Sequence, residues 1–223
     1  QRKVMKPDNL LRISVLPLAR PTFDVPFAEK TCRDAWNLLE KLPVEWIGTR
    51  ELLFDADAVE AKLKELALNP PDLLLVLQLT FTDATMTVKL AETLDAPLLF
   101  WSFPEARTGG RLRLNSLCGI NLASHALGKS GIRCDYLHMN PGNKRTLEEL
   151  KARISAHHAQ KKLSRTRLAV IGRHPDGFHT CAYDAEELKR LAGVTVDQLE
   201  LKDPFDEAQL IPQSKVETLW EEL

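Results

Sequence analysis

Residues 72–115 read DLLLVLQLTFTDATMTVKLAETLDAPLLFWSFPEARTGGRLRLN, and this stretch sets the architecture. Leu73–Leu77 is an apolar run with Pro70–Pro71 before it and Gln78 after it. A short run of that kind fits a strand covered on both faces of a parallel sheet. From Thr82 the period changes: Met86, Leu90, Ala91 and Leu94 recur at helical spacing. Leu98–Trp101 is a second apolar run, and a loop carrying Arg107, Gly109, Gly110, Arg111 and Arg113 follows it. Polar groups thus gather where strands end and helices begin, the edge at which open α/β sheets bind ligands.

The same alternation extends in both directions. Upstream, Leu11–Leu18 reads as a strand, Pro26 to Leu42 as a helix stopped by Pro43, Val44–Ile47 as a strand and Phe54–Leu68 as an amphipathic helix. Downstream, Asn115 or Ser116 caps a helix to about Leu127 that Gly128 and Gly131 stop. Cys134–Leu137 is a fifth strand, and Thr146 with Glu149 opens a long helix on a capping-box pattern. Five strand–helix alternations imply a doubly wound parallel five-stranded sheet, flavodoxin- or Rossmann-like, with helices on both faces. The polar, basic segment His157–Arg167 reads as a linker or helix end. Strands at Leu168–Ile171 and Val194–Leu199 flank a helix at Ala185–Leu191. The expected division is an α/β domain over residues 1–163 and the start of a second, incomplete α/β domain over 164–223.

At 223 residues the chain is long enough to bury a full core. A net charge of −1 gives no reason to expect nucleic acid or an anionic membrane as partner. No apolar run approaches the roughly 20 residues of a membrane-spanning helix, and the polar Gln1–Leu10 is no signal peptide. Cys32, Cys118, Cys134 and Cys181 are widely spaced, which excludes a zinc pattern and suits packed, reduced thiols in the cytoplasm. The chain starts without methionine and ends on the charged, helix-like Val216–Leu223, so both ends read as cut.

Familiar chemistry is hard to place. GRHPDG at 172–177 is no GxGxxG, and no Walker-type phosphate loop occurs. Neighbouring His157 and His158 diverge by about 100° on a helix and read as solvated surface. His125 reads as a helix residue near the sheet, while His174 and His179 are better placed for ligand contact. No carboxylate is expected at a strand end beside a histidine, so no metal cluster is expected either. Ser116 and Cys118 lie at a helix start without a GxSxG elbow, and read as a cap and a packed cysteine. What remains is Arg20, Gln78, Thr80, Phe81, Arg107, Arg111, Arg113, Asn115 and Ser116. With strand order 2-1-3-4-5, Arg20 and Gln78–Phe81 flank the switch point. Hydroxyls, amides and an arginine beside an aromatic ring suit a polyol such as a sugar. A plainer reading pairs Arg20 with Asp24, packs Phe81 in the core and leaves the arginine loop solvated.

LPLARPTFDV at 16–25, LQLTFTDATM at 77–86, TGGRLRLNSLCGINLASHAL at 108–127 and IGRHPDGFHTCAYDAEEL at 171–188 add a family signal. Together they resemble the amino-terminal half of the L-fucose and L-arabinose isomerase superfamily, most closely its fucose-isomerase-like branch. The resemblance implies an aldose–ketose isomerase acting on a pentose or 6-deoxyhexose, with proton transfer between C1 and C2 assisted by Mn2+ or another divalent cation. It implies metal ligands beyond this region, and hence a segment inactive by itself. It also implies trimers or hexamers whose amino-terminal domains wall a neighbour's active site. By the same resemblance Arg20, Gln78, Thr80, Phe81, Asn115 and Ser116 line the sugar pocket, and Phe178 and His179 belong to a second-domain loop that closes it. An alternative stays open on architecture alone: a non-catalytic sugar-binding or regulatory module resembling half of a periplasmic binding protein.

Overall fold

The computed structural model describes residues 10–222, in two units that run to His158 and from Ala159. Gln1–Asn9 and Leu223 lie outside the described residues, so the reading of the polar start falls outside them too.

The first unit is built on five parallel strands: β1 (Arg12–Leu18), β2 (Glu45–Gly48), β3 (Leu73–Gln78), β4 (Leu98–Ser102) and β5 (Cys134–His138). Their order is β2-β1-β3-β4-β5, the doubly wound arrangement expected from the sequence. Every residue of β3 is buried. Because side chains alternate along a strand, one run of leucines feeds two cores. Leu73, Leu75 and Leu77 pack with α1 (Val25–Leu39) and α5 (Thr146–Ser164). Leu74 and Val76 pack with α2 (Ala56–Ala67), α3 (Thr85–Thr93) and α4 (Ser116–Lys129). Each fully buried leucine contributes about 1.5–3 kcal/mol of transfer free energy, so this strand anchors both layers.

Helix ends follow local chemistry, with three departures from the sequence reading. Asp24 and Asp55 cap α1 and α2 by accepting from the N–H of Phe27 and Ala58, at 3.0 and 2.8 Å. α1 stops at Leu39, short of Pro43, and the chain between them turns. The capping box at α5 does not form: the Thr146 hydroxyl donates to the Asn140 carbonyl, and Glu149 pairs with Arg145 and Arg153. α4 has no side-chain cap, for reasons given below, and it runs past Gly128 to a turn closed at left-handed Gly131. Two thiols expected to pack, Cys118 and Cys181, are exposed. Buried Cys32 fits the expectation, and burial pushes its thiol up to about 11. His125 is exposed on α4, and His157 is half-buried rather than fully solvated.

The second unit has two parallel strands, β6 (Arg167–Ile171) and β7 (Thr195–Leu199), joined through α6 (Ala185–Ala192). Arg167 grips Asp197 across the strands with two 2.9 Å contacts. Helices α7 (Lys202–Gln209) and α8 (Gln213–Glu222) follow.

One glycine is fixed by space. Gly48 has φ +102° where β2 meets β1, and a Cβ there would lie 2.3 Å from the Val15 carbonyl oxygen. Both the dihedral and the contact oppose any side chain. Gly48→Ala is expected to cost about 2–5 kcal/mol, read as a lower urea midpoint with an unchanged slope.

Candidate functional site

The carboxyl ends of β1, β3 and β4 carry the site, and a buried hydroxyl joins two of them to α4. Ser116, at the first position of α4, donates from Oγ to the carbonyl of Gln78 and accepts from the N–H of Phe103 at 3.0 Å. Those partners sit at the ends of β3 and β4. This use of the hydroxyl explains why it does not cap its own helix. The preceding Asn115 is left-handed (φ 53°, ψ 33°), a conformation asparagine tolerates better than most residues. Gln78 donates from Nε2 to the Thr80 carbonyl at 2.8 Å and to the Thr82 hydroxyl at 2.9 Å, and its Oε1 is buried without a partner. Gly119 of α4 lies against this amide: a Cβ there would be 2.8 Å from Nε2. Glycine is therefore what lets α4 settle on Gln78.

At the switch point, the Thr80 hydroxyl accepts from the Arg20 N–H at 2.8 Å and donates to the Phe81 carbonyl at 3.2 Å. The Arg20 guanidinium reaches Asp83 at 2.6 Å, not Asp24. Asp24 instead holds Arg113 at 2.7 Å while capping α1. Phe81 is half-buried, its ring 6.3 Å from that of Phe23. Arg111 stands 5.2 Å from the Phe23 ring and donates to the Thr22 carbonyl, and Arg113 stands 4.0 Å from the ring of Phe27. So two arginines of the expected solvated loop are stacked and bonded. Arg107 forms no hydrogen bond or ion pair with any described residue.

The loop is folded by a carboxylate. Glu105 accepts backbone N–H groups of Arg113 (2.5 Å), Leu114 (3.0 Å) and Asn115 (2.6 Å). Beneath it lies a cavity of about 370 Å³, walled by Phe103, Glu105, Arg107, Leu112, Asn115, Cys118 and His138 among others. That volume is within the range of small-ligand sites, about 300–1,000 Å³. His138 ends β5, meets the Ser102 hydroxyl through Nδ1 at 2.8 Å, and is held below the usual imidazole range by burial. A carboxylate following one strand and a histidine ending its neighbour thus share one cavity, contrary to the sequence expectation. No local signal marks the pair: Glu105 comes just after β4 and His138 ends β5, and only the pairing of those strands brings them together.

The structure places the expected contact residues in two groups. Gln78, Thr80 and Ser116 are fully buried, whereas Arg20, Phe81 and Asn115 reach the surface in part. Phe178 and His179 lie in the second unit, exposed, at a 3-10 turn after β6. No group of three or more His, Cys, Asp and Glu side chains among the described residues is arranged to hold a metal ion, so these residues do not fit as the ligand set of a divalent cation. No helix among the described residues is long and apolar enough to cross a membrane.

A doubly wound α/β domain with a polar crevice at its carboxyl edge defines a class of small-ligand-binding domains. Within that class, residues 14–163 match the family model for the amino-terminal domain of fucose/sulfoquinovose isomerases. The chain belongs to that family. It is 32 % identical over 206 residues to a sulfoquinovose isomerase of Alkalicoccus urumqiensis, covering 92 % of this chain and 46 % of that protein. It is 30 % identical over 200 residues to a sulfoquinovose isomerase of Priestia aryabhattai, covering 90 % and 45 %. The chain therefore spans slightly less than half the length of the curated relatives it matches.

Two measurements probe the site's construction. Ser116→Ala leaves the Gln78 carbonyl and the Phe103 N–H buried and unpartnered, and is expected to cost about 2–4 kcal/mol in chemical denaturation. Asp83 is held below the usual carboxylate range by hydrogen bonds from Thr85, aided by the charge of Arg20. A carboxyl depressed in the folded state adds stability that is fully present above its unfolded value near 3.9 and is lost as pH falls through the folded value. Asp83→Asn should therefore lose less stability than the parent between about pH 5 and pH 3, as followed by urea midpoints.

Proposed function

We propose that this chain is the substrate-wall portion of an aldose–ketose isomerase acting on a 6-substituted or 6-deoxy hexose of the sulfoquinovose kind. The observation that carries the reading is the match to sulfoquinovose isomerases over nine-tenths of the chain, on a domain whose polar residues collect around one edge. In this reading the expected contact residues divide by burial. Arg20, Phe81 and Asn115 touch the sugar, with the ring of Phe81 against its apolar face. Gln78, Thr80 and Ser116 hold the strand ends that present them. Phe178 and His179, in the second unit, are assigned to substrate contact by the family resemblance alone.

A divalent cation, manganese by family resemblance, is assigned to residues outside this chain. When bound, such an ion polarises sugar oxygens and eases the proton transfer between C1 and C2. The residues of this chain bind the sugar, orient it and keep water from the reacting carbons. Assembly as a trimer or hexamer, in the cytoplasm, is part of the same proposal.

The test uses the full-length protein with sulfoquinovose, L-fucose and L-arabinose in deuterated water. Ketose formation with solvent deuterium on the sugar is the expected result, lost after dialysis against a chelator and restored by Mn2+. Sugar binding without any isomerisation across the panel would replace the enzyme reading with a binding module.

A further inference from the structure

We propose that the 370 Å³ cavity at the carboxyl end of β4 takes the sulfonate of a sulfonated hexose, and that Arg107 selects for it. This rests on the isomerase reading above and names the part of the substrate that this cavity recognises.

The argument begins with which cations are already committed. Arg20 is paired with Asp83, and Arg113 with Asp24. Arg111 lies over Phe23 and donates to a backbone carbonyl. Arg107 has no such partner among the described residues, yet it lines the cavity. A guanidinium offers five donors in a planar fork suited to tetrahedral oxyanions. Its loop is held in place from two residues away, since Glu105 fastens the far side of the same loop through three backbone N–H groups.

The surroundings set the charge the cavity tolerates. Glu105 is an anion in the same wall, and its oxygens are occupied by those N–H groups. Asn115 and His138 add neutral or switchable polar groups, while Leu112 supplies apolar surface for a methylene. The first turn of α4 carries no acidic residue and no side-chain cap, which adds a modest positive potential. Arg107 and Glu105 together are neutral, so every negative charge on a ligand adds to the site's net charge and a monoanion adds least. A sulfonate is a monoanion at all working pH values. A phosphate monoester carries about −1.5 to −2 at pH 7 and meets the Glu105 charge less favourably. The cavity thus fits a 6-sulfo sugar better than a 6-phospho sugar.

The experiment compares full-length wild type, Arg107→Ala and Arg107→Lys on sulfoquinovose, on 6-deoxyglucose, which lacks the sulfonate, and on glucose 6-phosphate. Loss of a charge-assisted contact should lower kcat/KM for sulfoquinovose by about 10- to 100-fold in Arg107→Ala, mainly through KM. The value for 6-deoxyglucose should stay within twofold, Arg107→Lys should recover part of the loss, and wild type should favour sulfoquinovose over glucose 6-phosphate. Equal losses on sulfoquinovose and 6-deoxyglucose, or no loss on sulfoquinovose, overturn the assignment while leaving the isomerase reading standing. Should wild type turn over none of the three, the isomerase reading is decided on L-fucose and L-arabinose, and calorimetry with sulfoquinovose decides the cavity separately. Binding weakened by Arg107→Ala keeps the anion site, and binding indifferent to it ends the proposal.

Discussion

The Ser116 hydroxyl is the point on which the carboxyl edge of the sheet depends. Strand ends are where backbone groups run out of ladder partners, and a buried group left unmet costs about as much as a lost hydrogen bond. Ser116 meets two of them at once, one at the end of β3 and one just past β4. In doing so it fixes where α4 starts. The helix then closes over Gln78, which needs a glycine at position 119 to fit. Arg20 is attached to the same frame by the Thr80 hydroxyl, so the edge behaves as one hydrogen-bonded unit.

This frame explains why polar residues at the switch point are divided between inside and outside. Gln78, Thr80 and Ser116 are as buried as the leucines before them, because their hydrogen-bonding capacity is almost wholly used within the protein. The exception is Oε1 of Gln78, a buried acceptor without a partner. Arg20, Phe81 and Asn115 stand one step further out. A binding edge made this way keeps its outer groups preorganised, since the backbone that carries them is held from beneath.

The fold was legible because its signals are strong: apolar runs of strand length, helical periods between them, and β3 too apolar to be anything but central. The alternation implied a doubly wound parallel sheet, while the order β2-β1-β3-β4-β5 comes from the structure. Capping was less legible. Thr146 and Ser116 stand where a cap should be, yet both hydroxyls bond elsewhere, to Asn140 in one case and to two strand ends in the other. Local pattern shows that a hydroxyl is near a helix start; it does not show the carbonyl that tertiary packing brings within reach. Ion pairs failed to read for the same reason. Asp24 is four residues from Arg20, but the chain brings Asp83 to Arg20 and Arg113 to Asp24, across 63 and 89 positions. Glu105 and His138 were invisible as partners because only the pairing of β4 with β5 puts them together.

The long loop after β4 carries these ideas furthest. Glycine and arginine content alone suggests a mobile, solvated segment. Instead a single carboxylate, Glu105, gathers three consecutive backbone donors and bends the loop back over the sheet edge. Two of its arginines then find aromatic faces on the α1 side, at Phe23 and Phe27. Stacking of this kind restrains a guanidinium without neutralising it. Asp24 neutralises Arg113, so the loop's positive charge at the carboxyl edge rests on Arg107 and Arg111, and ordering entropy already spent in folding is not spent again on binding. A charged edge that is rigid before the substrate arrives discriminates by position as well as by sign. A ligand held at such an edge is oriented before any contact elsewhere is made.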